Sequence, residues 1–125
     1  MKINDLATIV INTCFKIHQQ YGPGLLESVY EEILSYELQI AGLKVSRQQA
    51  ISLIHEDLVI KIAFRADLII EDILLVELKA VDDIPKVYYR KVLTYLKLTD
   101  LRLGLLINFS VSLLKDGIHR IANNL

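Results

Sequence analysis

Residues Leu103 to Phe109 read Leu-Gly-Leu-Leu-Ile-Asn-Phe, apolar at nearly every position. A strand wetted on one face alternates apolar and polar side chains, and this run does not. It is read as a strand buried on both faces, which needs a sheet with helices above and below it. The chain has 125 residues, one domain's worth, and can bury such a core without staples. Hydrophobic residues make up 53% and charged residues 23%, which excludes a disordered tail. The one cysteine excludes an intramolecular disulfide, and no Cys/His cluster has the spacing of structural zinc. No apolar run approaches the ~18–20 residues of a membrane span. The N-terminus, MKINDLATIV, lacks the apolar core and cleavage site of a secretory signal, so a cytoplasmic protein is expected. Net charge is −1, so nucleic-acid binding would have to rest on a local patch.

The helices that layering requires are legible. Asn4 or Asp5 offers a side-chain cap, after which Leu6, Val10, Cys14 and Ile17 recur at helical spacing. Tyr21-Gly22-Pro23-Gly24 ends that helix. A second is expected from about Leu25 to Ala41, with Leu26, Val29, Tyr30, Ile33, Leu34 and Leu38 as its apolar stripe and Gly42 as its stop. Val45–Ile54 and Leu58–Ile70 are rich in β-branched residues and read as strands about a turn at His55-Glu56-Asp57, with a third strand at Ile73–Lys79. Asp82 or Asp83 caps a further helix to about Leu98, with Pro85 early in it. The tail Leu113–Ile121 is a short helix or a strand, Gly117 opposing a long helix. The order is ααβββαβ, a small mixed sheet flanked by helices.

Chemistry concentrates where two strands meet. Glu77 and Lys79 are two apart on a strand and project from one face. A three-residue loop of Glu71, Asp72 and Ile73 pairs Ile70 with Leu74 and, counting back, Asp67 with Glu77. A two-residue loop shifts the register by one and separates the acids onto opposite faces. Phe64, Ala66, Leu68 and Ile70 form one apolar face, and Leu74, Val76 and Leu78 another. These share a side of the sheet only in the three-residue register, so burial and site demand the same hairpin. Paired carboxylates repel unless neutralised, and a hard divalent cation such as magnesium or manganese neutralises them. The Leu78 carbonyl is a candidate third ligand, and Lys79 brings positive charge for an attacking water or a negative transition state. The bland alternative is a surface Glu-x-Lys ion pair worth ~0–1 kcal/mol.

Glu27 and Tyr30 lie at i,i+3 on one helix face. Glu27 either complements the helix dipole or adds a carboxylate aimed at the metal or its waters, and Tyr30 reads as a core aromatic with a bonded hydroxyl. His18, His55 and His119 are scattered, and Cys14 is read as buried and inert. No Gly-rich phosphate loop, nucleophile elbow or dinucleotide fingerprint is present.

Gly24-x-x-Glu27-x-x-Tyr30 resembles the signature of the GxxExxY protein family. Phe64-Arg65-Ala66-Asp67-Leu68, Val76-Glu77-Leu78-Lys79-Ala80 and Gly104-Leu105-Leu106-Ile107-Asn108-Phe109 look like that family too, in the same order. The family is similar to the PD-(D/E)XK nuclease superfamily. The resemblance implies a restriction-endonuclease-like αβββαβ core, here with an extra N-terminal helix, and magnesium-dependent phosphodiester cleavage. It makes Asp67 and Glu77 the metal carboxylates, Lys79 the catalytic lysine and Glu27 the first-helix acid. Ala66 stands where the superfamily name has proline. In the third helix the family resembles His-x-x-Gln-x-x-x-Tyr-Leu, where this chain has Tyr88, Lys91 and Tyr95-Leu96. Lys91 in place of glutamine either binds a phosphate or pairs with a site acid and competes with metal.

Lys86, Arg90 and Lys97 form a second stripe on that helix, either a solvated face or a track for a phosphate backbone. The expectation is one nuclease-like domain over residues 1–125, acting on nucleic acid with magnesium or manganese and with no membrane partner. Lys79 and Glu27 are its catalytic groups, and Asp67, Glu77 and Leu78 its metal ligands. Lys86, Arg90, Lys91 and Tyr95 are its substrate contacts. The rivals are a non-catalytic nuclease-fold module that binds nucleic acid or protein, and a subunit of a larger complex marked by an exposed apolar patch. Small nuclease domains of this kind often pair, so the resemblance also implies a homodimer.

Overall fold

A computed structural model describes residues 1–125. Helices α1 (Ile3–Tyr21) and α2 (Glu27–Ile40) precede strands β1 (Val45–His55), β2 (Leu58–Ile70) and β3 (Leu74–Lys79). Helix α3 (Lys86–Thr99), β4 (Leu103–Asn108), a 3-10 turn (Leu114–Gly117) and β5 (Ile118–Ala122) follow. The sheet runs β1-β2-β3-β4-β5, with β3 and β4 parallel across the α3 connection and the other neighbours antiparallel. The αβββαβ core is present behind an extra N-terminal helix, as expected. The tail is both a short helical turn and a strand, and β5 closes the β4 edge. Gly117 is required there because a Cβ would run into the Asn108 carbonyl. No helix is long and apolar enough to cross a membrane.

β4 is buried at every position, so its continuous apolar run does mark a strand covered on both sides. On one side α1 and α2 lay Leu6, Val10, Cys14, Ile17, Tyr30, Leu34 and Leu38 over Leu68, Ile70, Leu74, Val76 and Leu78. On the other, α3 sets Val92 and Leu96 against Ile69, Leu75 and Leu106. α3 rides close on β4: a Cβ added at Gly104 would stand 2.9 Å from Val92 Cγ1 and 3.5 Å from the Leu96 methyls.

The helix starts differ from expectation. α1 begins at Ile3 with Lys2 as its extended N-cap and no side-chain cap. Asn4 instead accepts a bond from Arg120 Nη2 on β5 at 2.7 Å, a long-range partner no local pattern reveals. α2 begins at Glu27, and Leu26, the extended residue before it, is 72% exposed and leaves the apolar stripe. α3 begins at Lys86, with Pro85 extended at ψ 142 and neither Asp82 nor Asp83 capping it. Proline disfavours helical geometry in the residue before it, so Ile84 cannot carry the helix back to those aspartates.

The β2–β3 loop has the three-residue form. Ile70 pairs with Leu74, Ile69 with Leu75 and Leu68 with Val76. Glu71 and Asp72 both take positive φ, and Ile73 N–H closes the turn on the Ile70 carbonyl at 3.1 Å. One expectation for β2 fails. Leu68 and Ile70 face α1 and α2, but Phe64 and Ala66 pack on the α3 side. The cause lies opposite, in β1. Arg47 pairs with Leu68 and Gln49 with Ala66, but no pair forms between them, where Gln48 takes φ +48. This left-handed residue turns β1 over, β2 turns with it, and Asp67 sits at the crossing point. Beyond Phe64 the β1–β2 hairpin runs clear of the helices, with Ile54, Leu58, Val59 and Ile62 exposed.

Candidate active site

Asp67 and Glu77 meet at the end of the β2–β3 ladder and hold each other through the backbone. Asp67 N–H donates to Glu77 Oε1 at 3.2 Å, and Leu78 N–H donates to Asp67 Oδ2 at 2.9 Å. The two carboxyl groups therefore lie side by side, although the ladder itself stops at the Leu68–Val76 pair, one short of the expected Asp67–Glu77 pairing. Lys79 O accepts from Phe109 N–H just past β4, so alternation along β3 leaves the Leu78 carbonyl on the β2 side, with the acids. Glu77 is 7% exposed. Burial first, then the neighbouring Asp67 charge, pushes its pKa up to about 9.

Lys79 follows on the same face. Its Nζ lies 3.9 Å from Glu27 Oε1 and 4.3 Å from the centre of the Tyr88 ring. Glu27 is the first residue of α2, and burial raises its pKa while Lys79 opposes the rise. Its place is fixed from below. Tyr30 stacks on Phe109 with ring centres 4.2 Å apart. The Tyr30 hydroxyl donates to the Gly22 carbonyl and accepts Leu25 N–H at 3.0 Å. Tyr30 is thus a core aromatic with a bonded hydroxyl, and it ties down the loop that delivers Glu27. Gly22 takes φ +74 at the end of α1, but Gly24 has open space around it and no positive φ, so nothing in the structure requires glycine there.

α3 roofs the pair. Asp67, Glu77 and Lys79 line a cleft of about 170 Å³ together with Arg65, Tyr88, Lys91, Val92, Tyr95 and Leu106. Tyr95 stacks on Phe64 at 3.8 Å between ring centres. Its phenol pKa is raised by burial and by the Glu77 and Asp67 charges. Lys91 Nζ sits 4.8 Å from the Tyr88 ring centre and makes no ion pair with either carboxylate. Lys86, Arg90 and Lys97 are exposed and do not line the cleft, nor does Glu27, which stands beyond Lys79.

Four residues of this neighbourhood, Glu31, Arg47, Gln48 and Arg65, are not singled out by the sequence. Glu31, 7% exposed, accepts from Gln48 Nε2 at 2.6 Å and from Arg47 Nη2 at 3.1 Å. Gln48 Nε2 also donates to Asp67 Oδ1 at 3.1 Å. Arg65, at the cleft, donates to the Gln48 carbonyl at 3.4 Å. Glu31 does leave a trace: Glu27 and Glu31 are like charges at i,i+4, an unfavourable pair on a plain solvated face. Gln48 leaves none, because a polar residue in an edge strand is ordinary.

No group of three Asp, Glu, His or Cys side chains converges to hold a metal. The donors present are two carboxylates and a main-chain carbonyl. That set suits magnesium or manganese, which take one or two carboxylates and keep several waters, and does not suit zinc.

The chain belongs to the PD-(D/E)XK nuclease superfamily, whose family model matches residues 4–121. No curated protein and no solved structure matches it.

Proposed function

We propose that this nuclease-superfamily domain, spanning residues 1–125, hydrolyses phosphodiester bonds of nucleic acid in the cytoplasm with a divalent cation. The observation that carries the reading is the Asp67–Glu77 pair, fastened by backbone donors with Lys79 on the same face. Superfamily membership supports it, since PD-(D/E)XK nucleases typically use divalent metal ions. Asp67, Glu77 and the Leu78 carbonyl would hold magnesium or manganese. When bound there, such a cation would supply Lewis acidity toward a phosphoryl oxygen and toward the attacking water. Lys79, steadied by Glu27 and Tyr88, places its charge where negative charge develops on the phosphate. Lys91 and Tyr95 contact the phosphate entering the cleft, and Lys86 and Arg90 contact flanking phosphates from the outer face of α3. Because Lys91 rests against Tyr88 and leaves both carboxylates unpaired, it does not fill the cation's place. This favours cleavage over a binding-only module.

Calorimetric titration with magnesium and manganese, paired with a cleavage assay, tests the reading. Glu77→Ala is expected to abolish cation binding. Lys79→Ala is expected to leave it intact and slow hydrolysis by roughly 100-fold or more, the scale of one lost electrostatic stabiliser. Nucleic-acid binding without cation binding or cleavage in the wild type would establish the binding-only module instead.

A further inference from the structure

We propose that Gln48 is a positioning residue of this site, an uncharged clamp that fixes the Asp67 carboxylate from the side opposite β3. The inference rests on the reading of Asp67 as a cation ligand. Successive side chains of a strand point to opposite faces. Yet Arg47 and Gln48 both bond Glu31, at 3.1 Å and 2.6 Å. The left-handed backbone at Gln48, φ +48, makes this possible. The other non-glycine residues with positive φ, Glu56, Glu71, Asp72, Asp100 and Asn124, lie at turns, helix ends or the terminus. A non-glycine residue in this conformation costs about 1–2 kcal/mol. Glycine would adopt it freely and asparagine more readily than glutamine.

The side chain gives the reason for glutamine. Its Nε2 carries two protons, directed to Glu31 Oε1 and to Asp67 Oδ1 at 3.1 Å. The other Asp67 oxygen accepts Leu78 N–H at 2.9 Å. Asp67 is therefore gripped from both flanking strands, and each of its oxygens keeps a lone pair for a cation. Arg47 balances the Glu31 charge, so Gln48 conveys orientation to Asp67 without conveying charge. A lysine at this position would neutralise the carboxylate and compete with the cation. A shorter side chain would leave Oδ1 free to rotate.

Gln48→Asn and Gln48→Gly separate this role from a merely structural one. Both relieve the backbone, and neither side chain spans the two carboxylates. The metal-free variants are expected to melt at or above the wild-type temperature, while manganese binds about tenfold or more weakly by calorimetry, the usual effect of losing a partner that orients a ligand. Gln48→Lys should bind it more weakly still. Wild-type manganese affinity in both Asn and Gly variants would overturn the proposal. A second readout needs no metal. Both Gln48 side-chain amide protons should exchange slowly in the wild type, one taking the shift of a free glutamine in Asp67→Ala and the other in Glu31→Ala. Free-glutamine shifts in the wild type would also overturn the proposal. If the wild type bound no manganese, the cation reading of Asp67 and Glu77 would fall, and the amide protons would still decide whether Gln48 orients Asp67.

Discussion

The two faces of the sheet are built for different ends. Under α1 and α2 the apolar cluster that runs from Leu6 to Leu114 has 19 members. Under α3 the cluster has seven, and it gives way toward one end to Asp67, Glu77 and Lys79. The unequal cores show where each burden falls. The first face holds the fold, which allows the second to bury a crowded pair of acids at a cost in stability. α3 is long enough to cover the acids and too sparsely apolar to seal them off.

The largest effect should come from the first face. Leu34→Ala removes a fully buried side chain from the α1/α2 core and should cost about 2–5 kcal/mol in urea unfolding. Cation affinity of the folded fraction should not change. A loss of affinity matching the loss of stability would mean the two faces are one unit.

A smaller effect, of opposite sign, is expected at Glu77. Its ordinary pKa near 4.5 rises to about 9 in the fold. Between those values the folded protein holds a proton that the unfolded chain releases, so metal-free stability falls as pH rises through that window. The penalty is absent below pH 4.5 and complete only above about pH 9. Glu77→Gln should flatten this slope and, near pH 6, stabilise the metal-free protein by on the order of 2 kcal/mol. Urea midpoints between pH 5 and 9 measure it, and a wild-type profile that does not fall would remove the strain assigned to the second face.

The smallest effect tests the bridge between the faces. Tyr30→Phe keeps the stack on Phe109 and deletes the bonds to the Gly22–Leu25 loop. It should cost about 1 kcal/mol in thermal unfolding, a typical net hydrogen-bond contribution. An unchanged melting temperature would mean that the loop carrying Glu27 is held by other contacts.

What could be read in the sequence follows the same division. Periodicity reports burial, so Leu6, Val10, Cys14 and Ile17 and the Ile70–Leu74 hairpin were legible, and the hairpin placed Asp67 beside Glu77. Helix starts were not, because Asn4 answers to Arg120 across 116 positions of the chain. Nor was the twist at Asp67, since Gln48 lacks the glycine or asparagine that usually announces a left-handed residue. Glu31 stayed hidden because its burial depends on β1 folding back over α2 with Arg47 in place. Local rules reach as far as a strand and its turn. The outer ring of the site was set by contacts between distant segments.

Gly104 bears on the site without touching it. With Val92 and Leu96 pressed on this residue, the absence of one side chain sets how low α3 can lie on the sheet. The glycine works as a missing shim. A methyl group there would jack the helix upward, and Tyr88, Lys91 and Tyr95 would rise with it like the jaw of a vice backing off its workpiece. The clearance above two acids is thus gauged on the neighbouring strand, by an atom the chain omits.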